Sequence, residues 1–245
     1  MEVSKIKKAL IEQKKMNLSG NLYHKTQIDF AYNTNHMEGS TITSDETASI
    51  YDTGTILTNS DKILVLKDAT ETKNHFTLFK YMLDTIDDEL TEDMIKHYHY
   101  ILKNGTLTEE EKQWVSVGEY KKKKNFVGNI ITSLPNMVED DMKELLEWYK
   151  KISIKTLENI IEFHVRFEII HPFQDGNGRI GRIIIFRECL VNNIMPFYIE
   201  ERNKEFYLRG MKEYQLNDEK GYLIDTCLNS QDNYEKLVNF FLEEQ

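Results

Sequence analysis

The sequence predicts a mainly α-helical protein, a single helical domain over residues 1–245 that carries one short β-hairpin. Three observations lead there. Only 11 Gly and 3 Pro in 245 residues leave little material for the many turns of a strand-rich fold. Long stretches rich in Lys, Glu, Leu and Ile favour helix. One segment, residues 118–134, breaks that pattern. A chain of this length buries a full core as one domain, and no internal repeat, low-complexity tract or linker divides it.

Residues 1–32 read as helix with a break near Ser19-Gly20. A polar, turn-rich stretch, NTNHMEGSTITSDET, runs from Asn33 to Thr47. It ends on a helix start, because Thr43 and Glu46 have capping-box spacing. A further segment covers Lys62–Leu83, and Thr91 caps a helix that stops at Asn104-Gly105. Phe126-Val127 and Ile130-Ile131-Thr132 flank Gly128-Asn129, a hairpin signal. Helix resumes after Pro135 through MKELLEWYKKI. From Thr156 a buried helix places Ile160, His164, Phe167 and Ile170 on one stripe. RIIIFRECLVNN, further on, is apolar nearly all round.

Charge and composition narrow the function. Lys and Arg total 31 against 41 Asp and Glu, a net charge of -10, which argues against a general nucleic-acid binder. A single nucleotide in a locally basic pocket remains compatible. The amino-terminal residues lack an apolar run of signal-peptide length, and no run reaches the length of a membrane span, so no membrane partner is expected. Cys189 and Cys227 have no metal-ligand spacing and read as buried free thiols of a cytoplasmic protein. The residues after the core read only as helix, so no address for a particular target is expected there.

The chemistry concentrates in HPFQDGNGRIGR, His171 to Arg182. Pro172 disfavours helix at His171, so the buried helix ends there. Gly176-Asn177-Gly178 permits a tight turn into the next helix, whose first N–H groups and positive dipole end suit an anion. Arg179 and Arg182, three apart on one face, add forked donors for phosphate. Asp175 would repel bare phosphate, but a bridging Mg²⁺ removes that objection. His171 can accept a proton from an attacking hydroxyl near neutral pH. No Lys-Ser/Thr follows the glycines, so this is not a Walker loop. The alternative is an Asn-Gly turn between two core helices, with both arginines in surface ion pairs.

These residues resemble the signature of the Fic family, His-x-Phe-x-Asp/Glu-Gly-Asn-Gly-Arg-x-x-Arg. His171, Phe173, Asp175, Gly176, Asn177, Gly178, Arg179 and Arg182 match every fixed place, and the resemblance extends from about Asn33 to the region of Tyr207. Fic proteins are mostly adenylyltransferases that move AMP from ATP to a Tyr, Ser or Thr hydroxyl. The resemblance implies that His171 deprotonates that hydroxyl, Phe173 anchors the loop and Asp175 holds Mg²⁺ on the α- and β-phosphates. It further implies an anion hole from the N–H groups of Gly176, Asn177 and Gly178, with the Asn177 side chain on the α-phosphate. Arg179 would reach the β-phosphate and Arg182 the γ-phosphate. The hairpin matches the family's flap, where Phe126, Val127, Gly128 and Asn129 would dock a target segment by strand addition; otherwise it merely covers core. Tyr207 and Tyr214 lie where the family tends to contact adenine and ribose, although such spacing also suits core aromatics.

TNHMEG resembles the family's inhibitory motif, Ser/Thr-x-x-x-Glu-Gly/Asn, through Thr34, Glu38 and Gly39, within a helix region of about 28–40. Ser40 departs from the Asn that many relatives carry. A glutamate paired with Arg182 would deprive the γ-phosphate of its partner and repel it. The alternative is a solvated Glu before a Gly helix stop. Among the other candidates, His36 reads as a surface or packing residue. His97 and His99 face different ways and suit no zinc site. His164 reads as a core histidine bonded to backbone, and Lys121–Lys124 as a solvated run. The resulting expectation is an auto-inhibited adenylyltransferase acting on a hydroxyl-bearing protein or on itself, with self-association as one way to hold the brake. Alternatives are removal of AMP at the same site, transfer of another group, or a regulatory module that binds nucleotide without turnover. Family members that phosphorylate carry Lys in place of Gly178, which counts against another transferred group.

Overall fold

The computed structural model describes residues 2–16, 18–56, 63–128 and 130–243. The described residues form ten α-helices and one two-stranded antiparallel hairpin. The helices are α1 (Val3–Met16), α2 (Leu22–Met37), α3 (Ser44–Thr53), α4 (Leu66–Asp84) and α5 (Glu92–Lys103). After the hairpin come α6 (Val138–Lys151), α7 (Leu157–Ile170), α8 (Asn177–Val191), α9 (Lys204–Asn217) and α10 (Gly221–Leu242). In the hairpin, β1 (Phe126–Val127) pairs with β2 (Ile130–Ile131), Phe126 opposite Ile131 and Val127 opposite Ile130.

The predicted caps are present. Met94 N–H donates to Thr91 Oγ1 at the start of α5, and Thr43 closes a reciprocal box with Glu46 at α3. Thr156 does the same with Asn159 at α7. Thr91 is exposed, so Thr91→Ala removes the cap with little repacking. It is expected to lower stability by about 1 kcal/mol, read as a fall in Tm of about 2–4 °C.

Helix α8 is the axis of the fold. Every residue from Ile180 to Leu190 is buried, which explains a sequence apolar nearly all round. Its side chains join a core that also takes Phe163 and Phe167 of α7, Phe79 of α4 and Phe30 of α2. Arg187 and Glu188 are buried as an ion pair, and their outer groups reach the Asp88 carbonyl and the Tyr149 hydroxyl. A smaller cluster of Ala31, Ile42, Ile50 and Phe76 seats α3. Cys189 and Cys227 are buried free thiols. No described helix is long and apolar enough to cross a membrane.

Two expectations are corrected here. Asn33–Met37 is not turn but the last part of α2, with Glu38 as its C-cap. Lys121 is not solvated: its Nζ donates to Asn125 Oδ1, Thr132 Oγ1 and the Ile170 carbonyl. Burial pulls its pKa down to about 8. The lysine ties the base of the hairpin to the end of α7.

Candidate active site

The site begins where α7 stops. His171 ends it in a left-handed conformation, φ 50°, with its N–H donating to the Phe167 carbonyl (2.8 Å). The chain after it is clamped from three sides. Phe173 is buried and stacks on the His99 ring, centroids 4.0 Å apart. His99 accepts from the Gly118 N–H on Nδ1 (2.9 Å), so its Nε2 carries the proton that it donates to the Asp175 carbonyl (3.1 Å). Burial holds this ring neutral, with a pKa of about 3. His99 is therefore a strut under the loop.

Asn177 closes the loop from inside. Its Oδ1 accepts from the Phe173 N–H and its Nδ2 donates to the Phe173 carbonyl, both at 2.8 Å. These two bonds fix the amide against the loop and use one of its two Nδ2 hydrogens. Gly176, at φ 88°, turns the chain into α8, and no side chain caps the first turn. The N–H groups that open α8 therefore have no side-chain cap, which is the condition for an anion to take them.

The two motif arginines divide. Arg182 is buried and donates from Nε to Thr34 Oγ1 (2.7 Å) and from Nη2 to the Thr34 carbonyl (3.2 Å) and Glu38 Oε1 (2.5 Å). Burial disfavours its charge, and Glu38 and Tyr207 more than compensate. A Cβ at Gly178 would overlap Glu38 Oε1 and crowd Arg182, so the glycine leaves room for the glutamate's end. Gly39 takes the left-handed turn that ends α2 at φ 92°.

Arg179 lies deeper, paired with Glu71 of α4 and 3.5 Å from Asp175. Glu71 also pairs with Lys103 of α5, and Lys103 reaches Asp175 at 2.7 Å. Burial alone would push the Asp175 pKa up, but Lys103, Arg179 and Lys67 hold it well below the usual carboxylate range. Asp175 stays half-exposed. It fits a Mg²⁺ held by one carboxylate and substrate phosphates. No cluster of three or more His, Cys, Asp or Glu stands ready for a metal among the described residues.

A cavity of about 460 Å³ opens at the start of α8. His171, Gly178, Arg182, Glu38 and Glu168 form its polar side, and Val127, Gly128 and Ile130 of the hairpin form an edge. Helix α9 supplies Tyr207, Leu208, Met211 and Lys212, a wall with apolar breadth for a flat ring. Tyr207 lies 2.5 Å from His164 Nε2, so the partner of His164 is a phenol and not backbone. Tyr214 lines an adjoining depression with Val165 and Arg166 of α7 and does not line this cavity. Phe126 is exposed on the hairpin's outer face, and Asn129 lies outside the described residues.

Sequence reasoning missed Glu168, Glu71 and Lys103. Glu168 left a trace, an acid three residues before His171 in a helix that otherwise reads as buried. Glu71 and Lys103 left none, being 32 residues apart on separate helices.

A family model described as the Fic/DOC family matches residues 89–188, which span α5 to α8 and include the whole loop. A Fido domain-containing protein of Dictyostelium discoideum is 35% identical over 112 residues, 44% of this chain and 78% of that protein. A protein adenylyltransferase Fic of Nematostella vectensis is 24% identical over 203 residues, 78% of this chain and 44% of that protein. The chain spans less than half the length of the curated adenylyltransferases it matches in Nematostella and Caenorhabditis elegans. In fold, it resembles a solved Fic domain containing signaling protein of Bacteroides thetaiotaomicron, with TM-score 0.74, 22% identity, and 94% and 92% of the two chains covered.

Proposed function

This chain belongs to the Fic/DOC family, and from that premise we propose that it is an auto-inhibited protein adenylyltransferase that moves AMP from ATP to a hydroxyl of a protein, itself included. The observation that carries this reading is the ion pair between Glu38 and Arg182 in the wall of the cavity that holds His171. A pure binding module has no use for a base at the mouth of an anion cradle, or for a carboxylate that competes with the anion.

His171 takes the proton of the incoming hydroxyl, and the first N–H groups of α8 receive the phosphate oxygens. Asp175 would hold Mg²⁺, which supplies charge neutralisation to the phosphates when bound. The apolar wall of α9 receives the base, and the hairpin edge steers a target segment over His171. Arg182 is the natural partner of the terminal phosphate. While Glu38 occupies it, ATP meets a carboxylate where its last phosphate belongs, and sits in a pose unsuited to in-line attack.

Glu38 is 37% exposed at the side chain, so it can leave without unpacking the core. Glu38→Gly with Mg²⁺ and ATP is expected to gain AMP-mass increments at least about tenfold faster than the unaltered chain. Intact-protein mass spectrometry reads this, with His171→Ala as the silent control. A phosphate-mass increment would change the reaction assigned to the loop, and equal rates with and without Glu38 would remove the brake. Loss of AMP from a pre-modified protein that depends on Glu38 would favour the reverse activity, with the glutamate ordering water.

A further inference from the structure

Helix α7 and the His171 that caps it carry three titratable side chains in series, His164, Glu168 and His171, spaced by four and three residues. The middle one is the unusual one. Glu168 is buried, and its Oε2 lies 3.3 Å from His171 Nδ1. Its other oxygen, Oε1, is buried without a hydrogen-bond partner among the described residues. His171 Nδ1 is likewise without a closed hydrogen bond, although Glu168 Oε2 stands within reach of it. Such bonds often tighten only when substrate arrives.

The space around the pair is shaped for it. Gly181 of α8 lies opposite, where a Cβ would stand 3.2 Å from Glu168 Oε1 and press into the His164 ring. Burial pushes the Glu168 carboxyl up, but contact with His171 and the nearby His164 and Arg182 outweigh it, so its pKa is lowered and it stays ionised. Buried acids are seldom kept without a partner. Here the group that shares its space is the ring assigned to proton transfer.

We propose that Glu168 is the positioning residue of His171: it holds the imidazole with its proton on Nδ1, presents the Nε2 lone pair to the cavity, and stabilises the imidazolium formed in the reaction. The inference rests on the adenylyl-transfer reading for the identity of the reaction only. In that step the target hydroxyl gives its proton to Nε2 while its oxygen forms a bond to the α-phosphorus. The bond from that phosphorus to the bridging oxygen breaks, and pyrophosphate leaves with the electron pair. Glu168 remains a carboxylate throughout, as the buried acid does in an acid–histidine–nucleophile triad.

The charged and titratable groups around His171 are Glu168 on α7 with His164 behind it, Arg182 on α8, Glu38 at the end of α2, and Tyr207 and Lys212 on α9. The test therefore uses a Glu38→Gly parent, which removes one competing carboxylate. Adding Glu168→Gln is expected to lower kcat about 100-fold with KM for ATP within about twofold, and to move the acid limb of the pH–rate profile about one unit lower. Imidazole 15N NMR of the nucleotide-free protein should show the Nδ1–H form in the parent and its loss in Glu168→Gln. Glu168→Asp keeps the charge, and is expected to lower kcat while leaving the acid limb in place; it serves also if the Gln variant fails to fold. A folded Gln variant with an unchanged acid limb and unchanged nitrogen shifts would overturn the proposal. If the parent transfers no AMP, the NMR comparison still decides on Glu168, and only the reaction assignment falls.

Discussion

His171→Ala is expected to reduce transfer about 1000-fold, in the Glu38→Gly background, while changing ATP affinity by less than about threefold. The separation follows from where the groups sit. His171 lines the cavity with 17% of its side chain exposed, where the proposed reading brings the incoming hydroxyl. In the proposed reading the phosphates meet the α8 N-terminus and Arg182, and the base meets the α9 wall, none of which involves the imidazole. Removing the ring therefore takes away the proton acceptor and leaves the binding surface whole. Time courses of AMP incorporation give the first number, and ATP-induced shifts in Tm give the second. Residual transfer above one tenth of the parent would mean that solvent, and not His171, takes the proton. A collapse of ATP affinity would mean that the loop needs the ring for its shape.

Glu71→Ala is expected to destabilise the protein by about 3–5 kcal/mol, a fall in Tm on the order of 10 °C. Glu71 is the shared anion of Lys103 and Arg179, and all three side chains are buried. Truncating it leaves two cations away from water with one half-exposed acid, Asp175, between them. Removing one partner from a buried pair costs far more than the pair contributes. Thermal or urea unfolding measures the loss, with Glu71→Gln as a companion that keeps the volume and one acceptor. A loss below about 1 kcal/mol would show that Asp175 alone holds both cations, which its place between Lys103, Lys67 and Arg179 would then explain.

The loop was legible because its chemistry is local. Pro172 and Gly176 act within a turn of themselves, so their spacing carries their geometry, whereas the arginines find distant partners in Glu71, Thr34 and Glu38. The caps at Thr43 and Thr91 were legible for the same reason. What escaped the sequence is what distance makes. Asn33–Met37 reads as turn because Asn, Thr and His are poor helix formers. In the fold the side chains of Asn33 and Asn35 donate back to the Asp29 and Ala31 carbonyls, and the helix under them is pinned by Phe30 in the core. Tyr207 and Tyr214 are seven residues apart on α9, yet only the first faces the cavity, because the second turns toward the Lys220 side. Lys121 looked like one of four equal lysines until the end of α7 supplied it with acceptors.

One feature of α2 sets a timescale. Tyr23, Phe30 and Ala31 hold that helix in the core, while Glu38 stands one residue beyond its last turn. Whatever frees Arg182 therefore has no need to detach a helix; a rotation of one side chain or fraying of one helix end is enough. Motions of that size run in nanoseconds to microseconds, whereas moving a packed element takes microseconds to milliseconds or longer. Under the proposed brake, the glutamate would behave as a fast equilibrium competitor for one guanidinium, at a fixed local concentration because the chain tethers it. Its strength is set by how often it returns.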